Sequence, residues 1–80
     1  MAKKVIIYST EFCPWCRKTK EFFKKHNIKY KEYDVGKDSK KAEEMIKKSR
    51  QQGVPVVDID GKIIVGFDES RLREILKIKD

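Results

Sequence analysis

Two hydrophobic periods alternate along this chain. Val5-Ile6-Ile7-Tyr8 is an unbroken apolar run, β-branched and too brief for a helix, and it predicts a buried strand over Lys4 to Ser9. From Pro14 to about Asn27 the spacing changes to three and four. Trp15, Cys16, Thr19, Phe22, Phe23 and His26 form one stripe, and Arg17, Lys18, Lys20, Glu21, Lys24 and Lys25 fill the other face, as in an amphipathic helix. Ile28 to Val35 places Tyr30 and Tyr33 among lysines, the mixed polarity of an edge strand. Strand, helix and strand with a short return predict a parallel, right-handed crossover.

Gly36-Lys37-Asp38-Ser39 interrupts the pattern, and a second helix follows from about Ser39 to Gln51 on the stripe Ala42, Met45, Ile46 and Ser49. Residues 53 to 66 read as a hairpin. Asp60-Gly61 sits between apolar runs and suits a type I′ turn, which needs positive φ at both central residues. Pro55 cannot donate to a ladder and belongs at a strand's start or edge. A last helix runs from Asp68 to about Ile78 on Leu72, Ile75 and Leu76. Asp68 is a good N-cap, and Phe67 and Leu72 hold the positions of a hydrophobic staple.

Eighty residues make one domain, 1–80, with a single core. Charged residues reach 41% and hydrophobic ones 39%, yet the apolar positions are periodic, so a folded domain with a charged surface is expected. No run approaches membrane-spanning length, and the apolar run near the start is too short for a signal peptide's core. The expected setting is cytoplasmic, where paired thiols are more often catalytic than structural. The net charge of +7 raises the question of nucleic acid. Lysines alternate with glutamates, as in Lys40-Lys41-Ala42-Glu43-Glu44, and no aromatic residues interleave a basic stripe, so solvated helix faces are the favoured explanation.

The chemistry concentrates in Thr10-Glu11-Phe12-Cys13-Pro14-Trp15-Cys16, where the first strand meets the first helix. Pro14 suits the first helical position because no intrahelical N–H is needed there. Cys13 is then the N-cap, its sulfur facing the free N–H groups of Trp15 and Cys16 and the positive end of the helix dipole. Such settings lower a cysteine's pKa from about 8.5 into the range of roughly 3.5–7.5. Cys16, one turn in and on the buried side, lacks that help, so Cys13 attacks and Cys16 resolves. A C-x-x-C is also half a zinc site, but Cys13, Cys16 and His26 do not make up a structural ligand set, and no metal is expected. His26 lies about ten residues beyond Cys16, at roughly 1.5 Å each. It reads as a residue at the helix C-terminus interacting with the dipole.

The order of elements, with Cys13-Pro14-Trp15-Cys16 at the first junction, Val54-Pro55 opening the hairpin and Gly66-Phe67-Asp68 closing it, closely resembles glutaredoxin from Val5 to Leu76. The resemblance implies an α/β thioredoxin fold (βαβ-α-ββ-α), a four-stranded mixed sheet flanked by three helices. It implies a cis bond before Pro55, beside the dithiol, with the backbone of Val54 pairing with an extended substrate. Trp15, in place of the family's usual tyrosine, walls the groove. Gly66 and Phe67 match the second glycine of a Gly-Gly pair and its successor, and Asp68 matches the acidic residue that meets a γ-glutamyl ammonium. Thr10 stands where a lysine is usual, Val65 replaces the first glycine, and Gly53 replaces a threonine. Arg50, Gln51 and Gln52 are candidates for a glutathione carboxylate. Gly66-Phe67 is also similar to redoxins recharged by thioredoxin reductase, although the Arg-Pro that usually follows there is absent.

The implied activity is reduction of protein disulfides or glutathione mixed disulfides by a monomer with no bound cofactor. Glutathione is a possible co-substrate, and either glutathione or thioredoxin reductase is the reductant. A reduction potential between about −200 and −270 mV is expected. Two other classes share such a fold, a glutathione-dependent iron–sulfur cluster carrier and a non-enzymatic basic adaptor.

Overall fold

The computed structural model describes residues 4–78. Its elements run β1 (Val5–Ser9), α1 (Pro14–Lys25), β2 (Lys31–Asp34), α2 (Ser39–Ser49), β3 (Val56–Ile59), β4 (Lys62–Val65) and α3 (Glu69–Leu76). The strands form one sheet in the order β2-β1-β3-β4. β2 lies parallel to β1, with Ile6 opposite Lys31; β3 runs antiparallel to β1, with Tyr8 opposite Val56, and β4 runs antiparallel to β3. The expected four-stranded mixed sheet with three helices is the one observed.

Alternation along β1 separates two apolar layers. Val5 and Ile7 join Phe22, Phe23, Val57, Ile59, Ile64 and Leu72 on the face covered by α1 and α3. Ile6 and Tyr8 join Met45 and Val56 under α2. All five β1 residues are buried because paired strands flank them on both sides and helices cover both faces. Asp60 and Gly61 have φ values of 51° and 91°, as the I′ turn requires. Asp68 caps α3 by accepting a hydrogen bond from the Arg71 N–H, and Phe67 packs on the cluster holding Leu72.

Some expectations need correction. α1 stops at Lys25, and Ile28 belongs to that stop rather than to β2. Asn27 is left-handed, its N–H donates to the Lys24 carbonyl, and the Ile28 N–H donates to the Phe23 carbonyl, which together make a Schellman motif. β2 therefore begins only at Lys31. α2 ends at Ser49 because Arg50 turns left-handed. Within the stripe expected for α2, only Met45 is fully buried, and Ile46 is 38% exposed. His26 caps α1 as expected of a C-terminal residue, but its ring lies against Phe22 at 4.6 Å, with Nε2 buried and unpartnered among the described residues.

Candidate active site

Cys13 is the N-cap of α1, and its extended backbone turns the chain from the end of β1 into the helix. Its sulfur accepts a hydrogen bond from the Cys16 N–H at 3.1 Å. No bond joins it to Trp15, so one of the two expected amide contacts forms. Pro14 occupies the first helical position, and the first turn of α1 carries no acidic side chain to oppose a thiolate. Cys13 and Cys16 are joined as a disulfide with Cα atoms 5.2 Å apart. Cys13 is half-buried and Cys16 is 1% exposed, so an incoming group reaches the first sulfur before the second.

Trp15 does not join the buried stripe of α1. It is 55% exposed in the first turn of α1, between the two cysteines. There it stacks on Phe67 at 6.4 Å, with Lys18 Nζ 4.7 Å from its ring centroid. Phe67 in turn meets Phe22 at 6.0 Å, so an aromatic row leads from the core to the dithiol's edge. Trp15 is thus placed to wall a groove.

The Val54–Pro55 bond is cis, as the family likeness implied, and Pro55 is buried at the start of β3. Its carbonyl accepts from the Gly66 N–H at 2.8 Å, which ties the end of β4 to it. Gly66 has φ of +79°, a value costly for other residues. None of the loop and turn backbone hydrogen bonds among the described residues uses the amide or carbonyl of Val54. Val54, Pro55, Gly66 and Phe67 are thereby gathered at the sheet end from which Cys13 emerges.

The residues considered for glutathione are less well placed. One Asp68 carboxylate oxygen is engaged in capping α3. Gln51 folds back on its own loop, accepting from the Gly53 N–H at 2.6 Å and donating to the Gly53 carbonyl at 3.0 Å. Arg50 and Gln52 are exposed. Thr10 lies across the site from them, lining a depression with Glu11, Phe12, Asp34, Gly36 and Lys37.

Two features escaped the sequence reading. Phe12, next to Cys13, is 89% exposed. Its only sequence signal was an apolar residue inside a polar turn. The other is a polar network beneath the sheet. Lys48 Nζ donates to Asp58 Oδ2 at 2.7 Å and to the Tyr8 hydroxyl at 2.8 Å, and that hydroxyl donates to Glu44. Burial disfavours the Lys48 ammonium, but its bonds to Asp58 and Tyr8 outweigh that, and its pKa is raised. Burial and the bond to Glu44 raise that of Tyr8. Tyr8 faces Val56, so the network stands one residue from Pro55.

The chain matches the family model for glutaredoxin over residues 5–64. It is 49% identical over 71 residues to the "uncharacterized glutaredoxin-like 8.6 kDa protein in rubredoxin operon" of Clostridium pasteurianum, an alignment covering 89% of this chain and 95% of that protein. The chain belongs to the glutaredoxin family. Glutaredoxin 3 of Escherichia coli K12 is 35% identical over 65 residues, 81% of this chain and 78% of its own. The crystal structure of the glutaredoxin (grx-1) from Archaeoglobus fulgidus superposes with a TM-score of 0.84 at 28% identity, covering 96% of this chain and 88% of that one. The fold is accordingly thioredoxin-like, and membership supports thiol–disulfide exchange as this glutaredoxin's general activity. Among the described residues, no helix is long and apolar enough to cross a membrane.

Proposed function

We propose that this protein reduces protein disulfides or glutathione mixed disulfides through Cys13 and Cys16, with Cys13 as nucleophile. The observation carrying this reading is the Cys13 sulfur at the N-cap of α1, where the Cys16 N–H and the helix dipole favour the thiolate. The Cys13 thiolate attacks one sulfur of the target disulfide, and the other leaves as a thiolate and takes up a proton. Cys16, deprotonated in turn, attacks the Cys13 sulfur of the mixed disulfide and expels the second target thiol. The target gains two electrons, and the protein is left with the Cys13–Cys16 disulfide. Val54 offers its free backbone to an extended target, while Trp15 and Phe67 wall one side. Gly66 and Asp68 border the same end. Glutathione or thioredoxin reductase returns the electrons, the protein acts as a monomer, and its setting is the reducing cytoplasm.

Titrating the ultraviolet thiolate absorbance of the reduced protein tests the central claim. Cys13 is expected to ionise below an ordinary thiol's pKa of about 8.5, and ionisation at or above that value refutes the assignment. Cys16→Ser should lose reduction of protein disulfides while keeping reactions that pass only through a glutathione adduct. Loss of both would mean that the roles are misassigned. Turnover with glutathione and glutathione reductase, compared with turnover with thioredoxin reductase on the same substrate, identifies the electron donor.

A further inference from the structure

The backbone that this reading offers to a target belongs to a stretch with no regular structure of its own. α2 ends where Arg50 turns left-handed, and β3 begins at Val56. Between them, residues 51–54 make no backbone–backbone hydrogen bond among the described residues. Left to itself such a loop samples many conformations, and the entropy of ordering it weakens every encounter with a target. Gln51 supplies what the ladder does not. Its side-chain carbonyl accepts from the Gly53 N–H at 2.6 Å, and its amide group donates to the Gly53 carbonyl at 3.0 Å and to Ser49 Oγ at 3.3 Å. Both amide hydrogens and the carbonyl oxygen are thereby in use. Ser49 in turn donates to the Met45 carbonyl at 2.7 Å, and Met45 is 2% exposed in the apolar layer under α2. A chain of polar contacts therefore runs from the last turns of α2 to the residue before Val54.

Gly53 fits the same arrangement. Positive φ occurs at Gly61 and Gly66 but not at Gly53, so the backbone there does not call for glycine. Space does. A Cβ on Gly53 would stand 2.8 Å from Gln51 Oε1, and beyond the adjacent residues Gln51 is its only neighbour within 4 Å among the described residues. Glycine leaves room for the carboxamide, and the carboxamide holds a backbone that would otherwise be the freest in the loop. Val54 follows directly. Its own amide and carbonyl are unused, and Pro55, tied through its carbonyl to the Gly66 N–H, anchors it from the other side.

We propose that Gln51 is a positioning residue for the proposed reaction: by clamping Gly53 it holds the free backbone of Val54 ready to pair with an extended target. Gln51 acts through Gly53 and Val54, not on the sulfurs. This inference rests on the oxidoreductase reading above and adds the residue that favours disulfides carrying a peptide backbone over small ones.

The test mixes pre-reduced protein, without glutathione, with one of two disulfides. One is a disulfide-linked dimer of a short peptide with its cysteine in mid-chain. The other is bis(2-hydroxyethyl) disulfide, which has no backbone to pair with Val54. In each turnover the Cys13/Cys16 dithiol is oxidised to its disulfide and two small thiols are released, and chromatography after acid quenching measures them. Gln51→Ala should lower the peptide's second-order rate constant roughly fivefold, the size expected when one or two neutral hydrogen bonds that preorganise a loop are lost, and leave that of the small disulfide within about twofold. Gly53→Ala, whose methyl displaces only the end of a flexible side chain, should reproduce this selective loss. The double variant should lose no more than either single one, because both break the same clamp. Equal slowing of the two disulfides by Gln51→Ala, an unchanged peptide rate, or single losses that add in the double variant overturns the proposal. If the wild type reduces neither disulfide, the oxidoreductase reading falls together with the proposal. If it reduces both and the variants do not separate them, only the positioning role falls.

Discussion

Replacing Lys48 by methionine removes the ammonium that neutralises Asp58 beneath the sheet. Asp58 is 7% exposed, and Lys48 Nζ lies 2.7 Å from its carboxylate and 2.8 Å from the Tyr8 hydroxyl. Breaking a fully buried pair by removing one partner costs about 3–5 kcal/mol, because the remaining charge is left uncompensated. Two features reduce that figure. The Lys48 side chain keeps 31% of its accessibility, so water can take part of its place, and the other Asp58 oxygen keeps the Gly61 N–H at 2.8 Å. A loss of about 2–3 kcal/mol follows, which in a domain of this size lowers Tm by roughly 10–20 °C. Urea unfolding followed by far-ultraviolet circular dichroism, with the dithiol reduced in every variant, measures it.

The double variant Lys48→Met/Asp58→Leu should regain most of the loss, because an apolar pair of similar volume desolvates no charge. The pH dependence has a definite sign. Lys48 and Tyr8 both have folded-state pKa values above their ordinary ones. Their stabilisation is therefore complete below the unfolded values of about 10 and is lost only as pH rises beyond them. A Lys48→Met loss below about 0.5 kcal/mol, within the range of an ordinary surface substitution, or a double variant no better than the single one, would refute the argument.

Tyrosine ionisation should be spread out. The Lys31 ammonium at its hydroxyl, with Lys41 also near, lowers the pKa of Tyr33, whereas Tyr8 is raised, so ultraviolet titration should show Tyr33→Phe removing an early step and Tyr8→Phe a late one. Burial opposes ionisation of Glu32, but hydrogen bonds from Lys20 and Ser9 outweigh it and its pKa is lowered. That stabilisation is present above the unfolded value of about 4.3 and fades as pH falls through the folded one, so Glu32→Gln should flatten the acid limb of a stability–pH curve. An unchanged limb would contradict this. Asp68→Ala deletes the cap of α3 and should cost about 1 kcal/mol in urea unfolding. A null effect would mean that water serves the Arg71 amide equally well.

What the sequence determined by itself lies within a turn or two of chain. The Cys13-Pro14 helix start, the Asp60-Gly61 turn, the Asp68 cap and the alternation along β1 all rest on neighbours close in sequence, and all appear in the structure. The dithiol was legible for the same reason, since its cap and its partner sulfur lie within one helical turn. Tertiary structure decided the rest. Asp58 finds its cation only because α2 brings Lys48 over β3, and the Tyr8 hydroxyl bonds to a lysine 40 residues away. Trp15 has the spacing of a core residue, yet it is 55% exposed, and Phe67, folded back ahead of α3, stacks on its ring. Periodicity shows which face of an element is apolar, but what covers that face depends on segments far along the chain.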